Sequence, residues 1–122
     1  MNKKIFKFNE RNVCLNPDVI RINDYVTIEI AEYDGVWISG SHYGFKHTYY
    51  GSPCMKGNVN FPTRIESLKN EIDRLIRRIK CDEIRNKYSE WHKPDIRMMK
   101  KSIKDLKQYL FDITHVQLSL FF

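Results

Sequence analysis

The spacing of apolar residues changes at residues 61–63, and no other feature constrains the fold of this chain as strongly. Upstream, apolar and polar residues alternate, most clearly at Val26, Ile28 and Ile30, as they do in a half-buried strand. Downstream, apolar residues recur every three or four positions, as they do along one face of a helix. We therefore predict a β-rich first half followed by a helical second half.

Turn-forming residues divide the first half into short segments that fit an antiparallel sheet. Asp34-Gly35 supplies the positive φ angles of a tight hairpin turn between two of the segments. Gly44 and Gly51 bound a further segment, and Pro53 marks a loop. The predicted strands are residues 3–8, 19–22, 25–33, 36–39 and 45–50.

The second half contains two amphipathic helices. Thr63 and Glu66 form a capping box for a first helix that we expect to end near residue 88. Pro94 breaks the pattern, and Asp95 is placed to cap a second helix. Because the connection is short, the helices should fold back on each other. The predicted fold class is α+β, with a small antiparallel sheet packed against a long antiparallel helical hairpin.

The 122 residues are expected to form one domain. Residues 1–61 make its β-rich part, residues 62–114 the helical hairpin, and residues 115–122 a tail or a terminal strand. Apolar residues make up 42% of the chain, which excludes a fully disordered protein. We find neither a membrane-spanning apolar run nor a secretory signal, and we expect a cytoplasmic protein. The cysteines, which should remain thiols there, are Cys14, Cys54 and Cys81.

Positive charge is concentrated in the helical half. The net charge is +6, with a balance of +1 in residues 1–62 and +5 in residues 63–122. On a helical wheel the cations of the second helix form one stripe beside the apolar seam, whereas those of the first helix are scattered around its surface. This asymmetry points to a polyanion, or to a protein that handles one.

The same cations allow a purely structural interpretation. Lysine and arginine most often lie on solvated helix faces, and Asp73 or Asp82 can form ion pairs with Arg77 or Arg78 at helical spacing. If the cations instead contact phosphates, counterions are released and binding weakens with salt. The helical residues that we predict at such an interface are Arg74, Arg77, Arg78, Arg97, Lys100, Lys101, Lys104 and Lys107.

An aromatic segment, residues 37–50, is the second candidate surface. Its rings lie beside Lys46 and two histidines, and they can stack on exposed bases or anchor a protein partner. A competing interpretation places Phe45 and Tyr49 in the core and turns Tyr43 and Tyr50 outward. The residues of this segment that we predict at a partner surface are Trp37, Tyr43, Lys46 and Tyr50.

No motif in the sequence names a reaction. The chain has no glycine-rich phosphate loop, no nucleophile elbow and no zinc-protease helix. His42, His47 and Cys54 match no closed zinc spacing. We therefore predict a protein that is not an enzyme, with no catalytic residues, no cofactor and no metal. A cryptic metal-dependent nuclease is the alternative, because distant residues can assemble a site.

The C-terminal residues carry a short recognition pattern. Residues 117–121 read Gln-Leu-Ser-Leu-Phe, which resembles the peptide by which bacterial proteins dock on the replication sliding clamp. The resemblance implies that Leu120 and Phe121 fill an apolar pocket, while Gln117, followed by Leu118, fixes the register. The same residues also alternate as a terminal strand would, and a strand held in the sheet cannot dock on a partner.

In size and composition the chain is similar to phage-encoded inhibitors such as anti-CRISPR proteins. This resemblance implies a non-enzymatic phage or mobile-element protein that binds and inhibits a host nucleic-acid machine, such as a CRISPR effector, with direct RNA or DNA contact as one route. The net charge of +6 argues against mimicry of nucleic acid. The alternative is a replication accessory factor that its C-terminal peptide tethers to the sliding clamp.

Overall fold

The structure, a computed structural model, describes residues 3–87 and 93–119, and for Lys93 and residues 116–119 it describes the backbone alone. Within these ranges four strands precede two helices. The elements are β1 (Asp18–Arg21), β2 (Val26–Tyr33), β3 (Val36–Gly44), β4 (Tyr49–Ser52), α1 (Arg64–Asn86) and α2 (Lys93–Ser119). The predicted α+β class is confirmed.

The strands form one antiparallel sheet in the order β1-β2-β3-β4, so each strand pairs with its neighbour in sequence. The turn between β2 and β3 is the predicted one, since Asp34 and Gly35 adopt φ angles of 50° and 79°. The register of this hairpin pairs Ile28 with Ser41 and Ile30 with Ser39. These two serines of β3 therefore lie on the same sheet face as the apolar side chains of β2.

The predicted strand at residues 3–8 is not formed. Those residues make an isolated bridge between Phe8 and Cys14, and Phe6 and Phe8 pack on the sheet face that is turned away from the helices. Aromatic side chains thus keep this segment on the protein without a ladder of hydrogen bonds. The small buried cluster beneath it consists of Cys14, Ala31, Ile38 and Cys54.

The predicted strand at residues 45–50 begins only at Tyr49. Residues 45–48 form a turn, in which the Phe45 N–H donates to the Thr48 carbonyl at 2.8 Å. The turn is held by Asp95, whose buried carboxylate accepts from the His47 N–H at 2.8 Å and from the Thr48 hydroxyl at 2.9 Å. The expectation that Asp95 caps the second helix is therefore wrong: α2 begins at Lys93, and the side chain of Asp95 binds the β3–β4 turn instead.

The helical hairpin is confirmed. At the start of α1 the Thr63 hydroxyl accepts from the Glu66 N–H at 3.2 Å, as the capping box predicts. The end of α1 and the start of α2 reach the same turn, because the Asn86 amide donates to the Thr48 hydroxyl at 3.1 Å beside Asp95. The two helices therefore run antiparallel.

The main core lies between one face of the sheet and the hairpin. Each fully buried aliphatic side chain there stabilises the fold by about 1.5–3 kcal/mol. The buried residues of this core are Val26, Ile28, Ile30, Tyr43, Phe45, Leu68, Ile72, Leu75, Ile79, Met99, Ile103 and Leu106. The apolar faces that the sequence predicted for both helices are therefore buried in this core, as expected.

The predicted terminal strand is not formed in the part of the tail that the structure describes. α2 continues to Ser119, so the helical hairpin extends beyond residue 114 and residues 115–119 are helical. The reason is visible in the sequence, because Ile113, Val116 and Leu120 continue the spacing of three and four. Residues 120–122 lie outside the described residues.

Candidate functional site: an arginine-lined cleft

A stripe of buried polar residues runs along α1 beside its apolar seam. The stripe faces β3, where Ser39 and Ser41 point toward the helices. Buried polar groups are costly unless they are hydrogen-bonded, so their partners decide what the stripe can do. Its members are Ser67, Glu71, Asp82 and Asn86.

Glu71 is the first buried carboxylate of the stripe and is 1% exposed. Its two oxygens accept from the hydroxyls of Ser39 at 3.1 Å and Ser41 at 2.7 Å. The Arg74 guanidinium binds the same carboxylate at 3.3 Å. The charge of Glu71 is thus compensated within the protein, as a buried charge requires.

Asp82 is the second buried carboxylate, one helical turn beyond Arg78. It accepts a hydrogen bond from the hydroxyl of the buried Tyr43. Burial, together with the hydrogen bond to Asp82, raises the pKa of the Tyr43 hydroxyl well above its usual range. Tyr43 is therefore protonated at neutral pH and donates to Asp82.

Arginine side chains surround the opening above these carboxylates. Together with Tyr50 of β4 they line a cleft of about 420 Å³ between α1 and the edge of the sheet. We call this site the arginine cleft. Its side chains are Ser41, Tyr50, Glu71, Arg74, Leu75, Arg77, Arg78, Cys81, Asp82 and Arg85.

The guanidinium of Arg78 is stacked on an aromatic column. It lies 4.0 Å from the centroid of the Tyr50 ring. The Tyr50 ring lies 5.3 Å from that of Tyr43, at an interplanar angle of 33°. Since Tyr43 is bonded to Asp82, the column links Arg78 at the surface to the buried floor of the cleft.

The cleft brings together some of the predicted interface residues. Arg74, Arg77, Arg78 and Tyr50 all line it, although the predictions placed them in two separate surfaces. Their ion pairs are few: Arg74 binds Glu71, and Arg77 binds the exposed Asp73 at 2.8 Å.

Other residues of the aromatic segment lie elsewhere. The expectation of an outward Tyr43 and an inward Tyr49 is wrong, since Tyr43 is 3% exposed and Tyr49 is 74% exposed. The turn at residues 45–48 changes which residues of β4 point to each face of the sheet. Tyr50, and not Tyr49, therefore lies on the same face as Tyr43, with which it is paired. Trp37 is half-buried against the core and Phe6, and Lys46 is exposed in the turn.

The predicted stripe on α2 is exposed along its length. It is called the α2 stripe below and consists of Arg97, Lys100, Lys101, Lys104 and Lys107. Lys101 binds Asp105 at 2.8 Å, and Lys100 lies 3.9 Å from Glu83. The other three make no ion pair with any residue in the described ranges. The stripe is therefore only partly neutralised.

Sequence reasoning did not select six of the ten residues that line the cleft, namely Ser41, Glu71, Leu75, Cys81, Asp82 and Arg85. The signal was available, because a wheel for α1 puts Arg74, Arg78 and Arg85 within an arc of about 40°. The lysines of the same helix fall on the opposite side. The cations of the first helix do lie on several sides of it, but they are sorted by type: Arg74, Arg77, Arg78 and Arg85 line the cleft, whereas the lysines are exposed on the opposite side.

The remaining predicted sites gain no geometric support. No group of three or more His, Cys, Asp or Glu side chains in the described ranges is arranged to hold a metal. Burial raises the pKa of the Cys54 thiol to about 12. For the clamp motif, Gln117 and Leu118 lie in the helical backbone of α2, and Leu120 and Phe121 lie outside the described residues.

Neither helix of the described chain is long and apolar enough to span a membrane. Comparison with protein-family models, with curated proteins and with solved structures gives no match to this chain.

Proposed function

We propose that the protein binds a nucleic-acid machine of a host cell and inhibits it, as inhibitors of the anti-CRISPR type do. The machine is a protein or ribonucleoprotein that processes RNA or DNA, and a CRISPR effector is one candidate. In this proposal the protein acts in the cytoplasm, without turnover, and comes from a phage or mobile element. Its contacts are made by the cationic surface of α1 and α2, in part with the RNA or DNA of the machine.

The convergence of arginines on one cleft is the observation that carries this proposal. Arg74, Arg77, Arg78 and Arg85 share the site with two buried carboxylates, so a local excess of positive charge remains. Arg74 and Arg77 are paired along the helix with Glu71 and Asp73, whereas Arg78 and Arg85 make no ion pair with any residue in the described ranges. A site that gathers like charges is suited to an anionic partner.

Binding to single-stranded RNA and DNA tests the direct contact. Fluorescence anisotropy with labelled oligonucleotides should detect binding that weakens with salt. About four phosphate contacts on a single strand give a slope of about −3 for log K against log salt concentration. A slope near zero would contradict phosphate contact.

Affinity capture from the host cytoplasm, with and without nuclease, tests the partner. We expect a protein that processes RNA or DNA to be retained, and its activity to fall when the chain is added at equimolar amounts. The proposal is wrong if no such protein is retained and the chain binds neither RNA nor DNA at about 50 mM salt.

A further inference from the structure

We infer that the arginine cleft binds one nucleotide of a single strand of RNA or DNA. Its phosphate lies among the guanidiniums of Arg74, Arg78 and Arg85, and its base stacks on the outer face of the Arg78 guanidinium. This inference rests on the proposed function and adds to it the site and the class of ligand.

The charge balance of the cleft matches a phosphate. Four guanidinium groups face two buried carboxylates and the exposed Asp73, which pairs with Arg77, so an excess of one positive charge remains. The carboxylates leave two guanidiniums for the ligand: Glu71 binds two hydroxyls and Arg74, Asp82 accepts from Tyr43, and Arg78 and Arg85 make no ion pair with any residue in the described ranges. Each guanidinium has five N–H donors, so most of them remain available for the oxygens of a phosphate.

Arg78 is held in place before a ligand arrives. Its guanidinium rests on the Tyr50 ring, which stacks on Tyr43, whose hydroxyl is bonded to Asp82. A long side chain that is already fixed loses less conformational entropy on binding than a free one. The planar fork of arginine also suits bidentate contact with phosphate, which lysine cannot make.

The stacked guanidinium favours a nucleotide over a chemically different anion. The Arg78 guanidinium lies over the Tyr50 ring and Arg78 is exposed, so we expect its outer face to accept an unpaired base, as guanidinium groups do in RNA-binding proteins. The cleft volume of about 420 Å³ lies within the range of small-ligand sites. A base has to be unpaired to stack there, which is why we infer a single strand.

Cys81 provides an internal reporter for occupation of this cleft. It lines the cleft and is exposed, whereas Cys14 and Cys54 are buried and burial raises the pKa of both thiols. Iodoacetamide should therefore alkylate Cys81 alone in the folded protein, since the reactive species is the accessible thiolate. A bound nucleotide should slow that reaction.

The test combines strand affinity with Cys81 protection in variants that keep the net charge. Arg78→Lys removes the planar fork, and Tyr50→Leu removes the ring beneath it. We expect Arg78→Lys to weaken binding of a single strand about tenfold, which corresponds to the loss of one charge-assisted bidentate contact. Tyr50→Leu should weaken it about threefold, since Arg78 loses its support. At a strand concentration near the Kd of the unmodified chain, Cys81 should be protected less in both variants, and least in Arg78→Lys.

Arg21→Lys is the matched control, because it makes the same chemical change on an exposed side chain of β1, at the sheet edge opposite β4 and outside both cationic surfaces. We expect its strand affinity to stay within about twofold of the unmodified chain. Circular dichroism of each variant checks the fold, and Arg78→Lys, being conservative and exposed, keeps the test valid if Tyr50→Leu does not fold.

Three results would overturn the inference. The first is unchanged strand binding in Arg78→Lys, with Cys81 unprotected in the unmodified chain. The second is equal protection of Cys81 by inorganic phosphate at the same phosphate concentration, which would exclude a role for the base and the strand. The third is capture of a nucleic-acid machine by a chain that binds no oligonucleotide, which would leave the proposed function standing without this site.

Discussion

The arginine cleft and the α2 stripe are both cationic surfaces of one helical hairpin, and they differ in what lies beneath the charges. In the cleft, Glu71 and Asp82 are buried, hydrogen-bonded to hydroxyls of β3, and partly responsible for where the arginines point. On the α2 stripe, Asp105 and Glu83 are half-buried and each lies beside one exposed lysine. The arginines thus converge on buried acids in the cleft, whereas the cations of the stripe are exposed along the length of a helix.

The residue types follow the same division, even within α1. Arg74, Arg77, Arg78 and Arg85 line the cleft, whereas Lys69 and Lys80 are exposed elsewhere on that helix. Arginine has a rigid donor fork that loses little freedom when it binds a planar or bidentate partner, whereas the lysine ammonium is a strongly hydrated point charge. We expect the cleft to determine which ligand binds and the α2 stripe to attract it from a distance.

The largest expected difference between the two regions concerns stability. Glu71→Ala should lower the free energy of unfolding by about 3 kcal/mol, because the Ser39 and Ser41 hydroxyls and Arg74 lose a buried partner. Glu83→Ala, the same change on the same helix beside the α2 stripe, should cost at most about 0.5 kcal/mol. Urea denaturation measures both. Equal losses of unfolding free energy in the two variants would show that Glu71 contributes no more to stability than Glu83 does.

Alkaline pH should distinguish the floor of the cleft from the rest of the surface. Because the pKa of Tyr43 is raised in the folded state, its contribution to stability is complete below the ordinary tyrosine value of about 10 and declines as the pH rises above it. Tyr43→Phe should cost about 2 kcal/mol at neutral pH, since Asp82 loses its donor, and should flatten this alkaline decline.

Urea denaturation at a series of pH values compares the Tyr43→Phe variant with the unmodified chain. The difference between the two curves isolates Tyr43 from other groups, such as Cys54, whose raised pKa acts in the same pH direction. If the unfolding free energies of the two proteins fall in parallel above about pH 10, the Tyr43 hydroxyl does not donate to Asp82 in the folded state.

The smallest expected effect belongs to the α2 stripe. The double substitution of Lys104→Gln and Lys107→Gln should weaken strand binding about threefold at about 0.1 M salt and reduce the salt slope by about 0.5, because the stripe attracts the strand through long-range charge and not through direct phosphate contacts. Its free energy of unfolding should stay within about 0.5 kcal/mol, because both side chains are exposed. Anisotropy titrations over a range of salt concentrations measure the slope. A loss as large as that of Arg78→Lys would remove the proposed difference between cleft and stripe.

Local patterns in the sequence were sufficient wherever neighbouring residues decide the conformation. The Thr63–Glu66 cap, the Asp34-Gly35 turn and the two apolar helix seams were predicted and are confirmed. The failures lie where distant residues intervene. Asp95, placed as a helix cap, binds a turn 47 residues before it and delays the start of β4.

The site was predictable in its parts but not in its assembly. Tyr50 and three of the arginines were chosen from the sequence as separate contacts, and Arg85 was not chosen. Their convergence depends on how α1 packs across β3. The spacing of residues within either element does not determine that packing. The sequence by itself determined where strands and helices form and that charge gathers on the helices, because these follow from short-range periodicity and capping. Only the tertiary structure decided which charges face a cleft, because burial of Glu71 and Asp82 against β3 fixes the rotation of α1 about its axis.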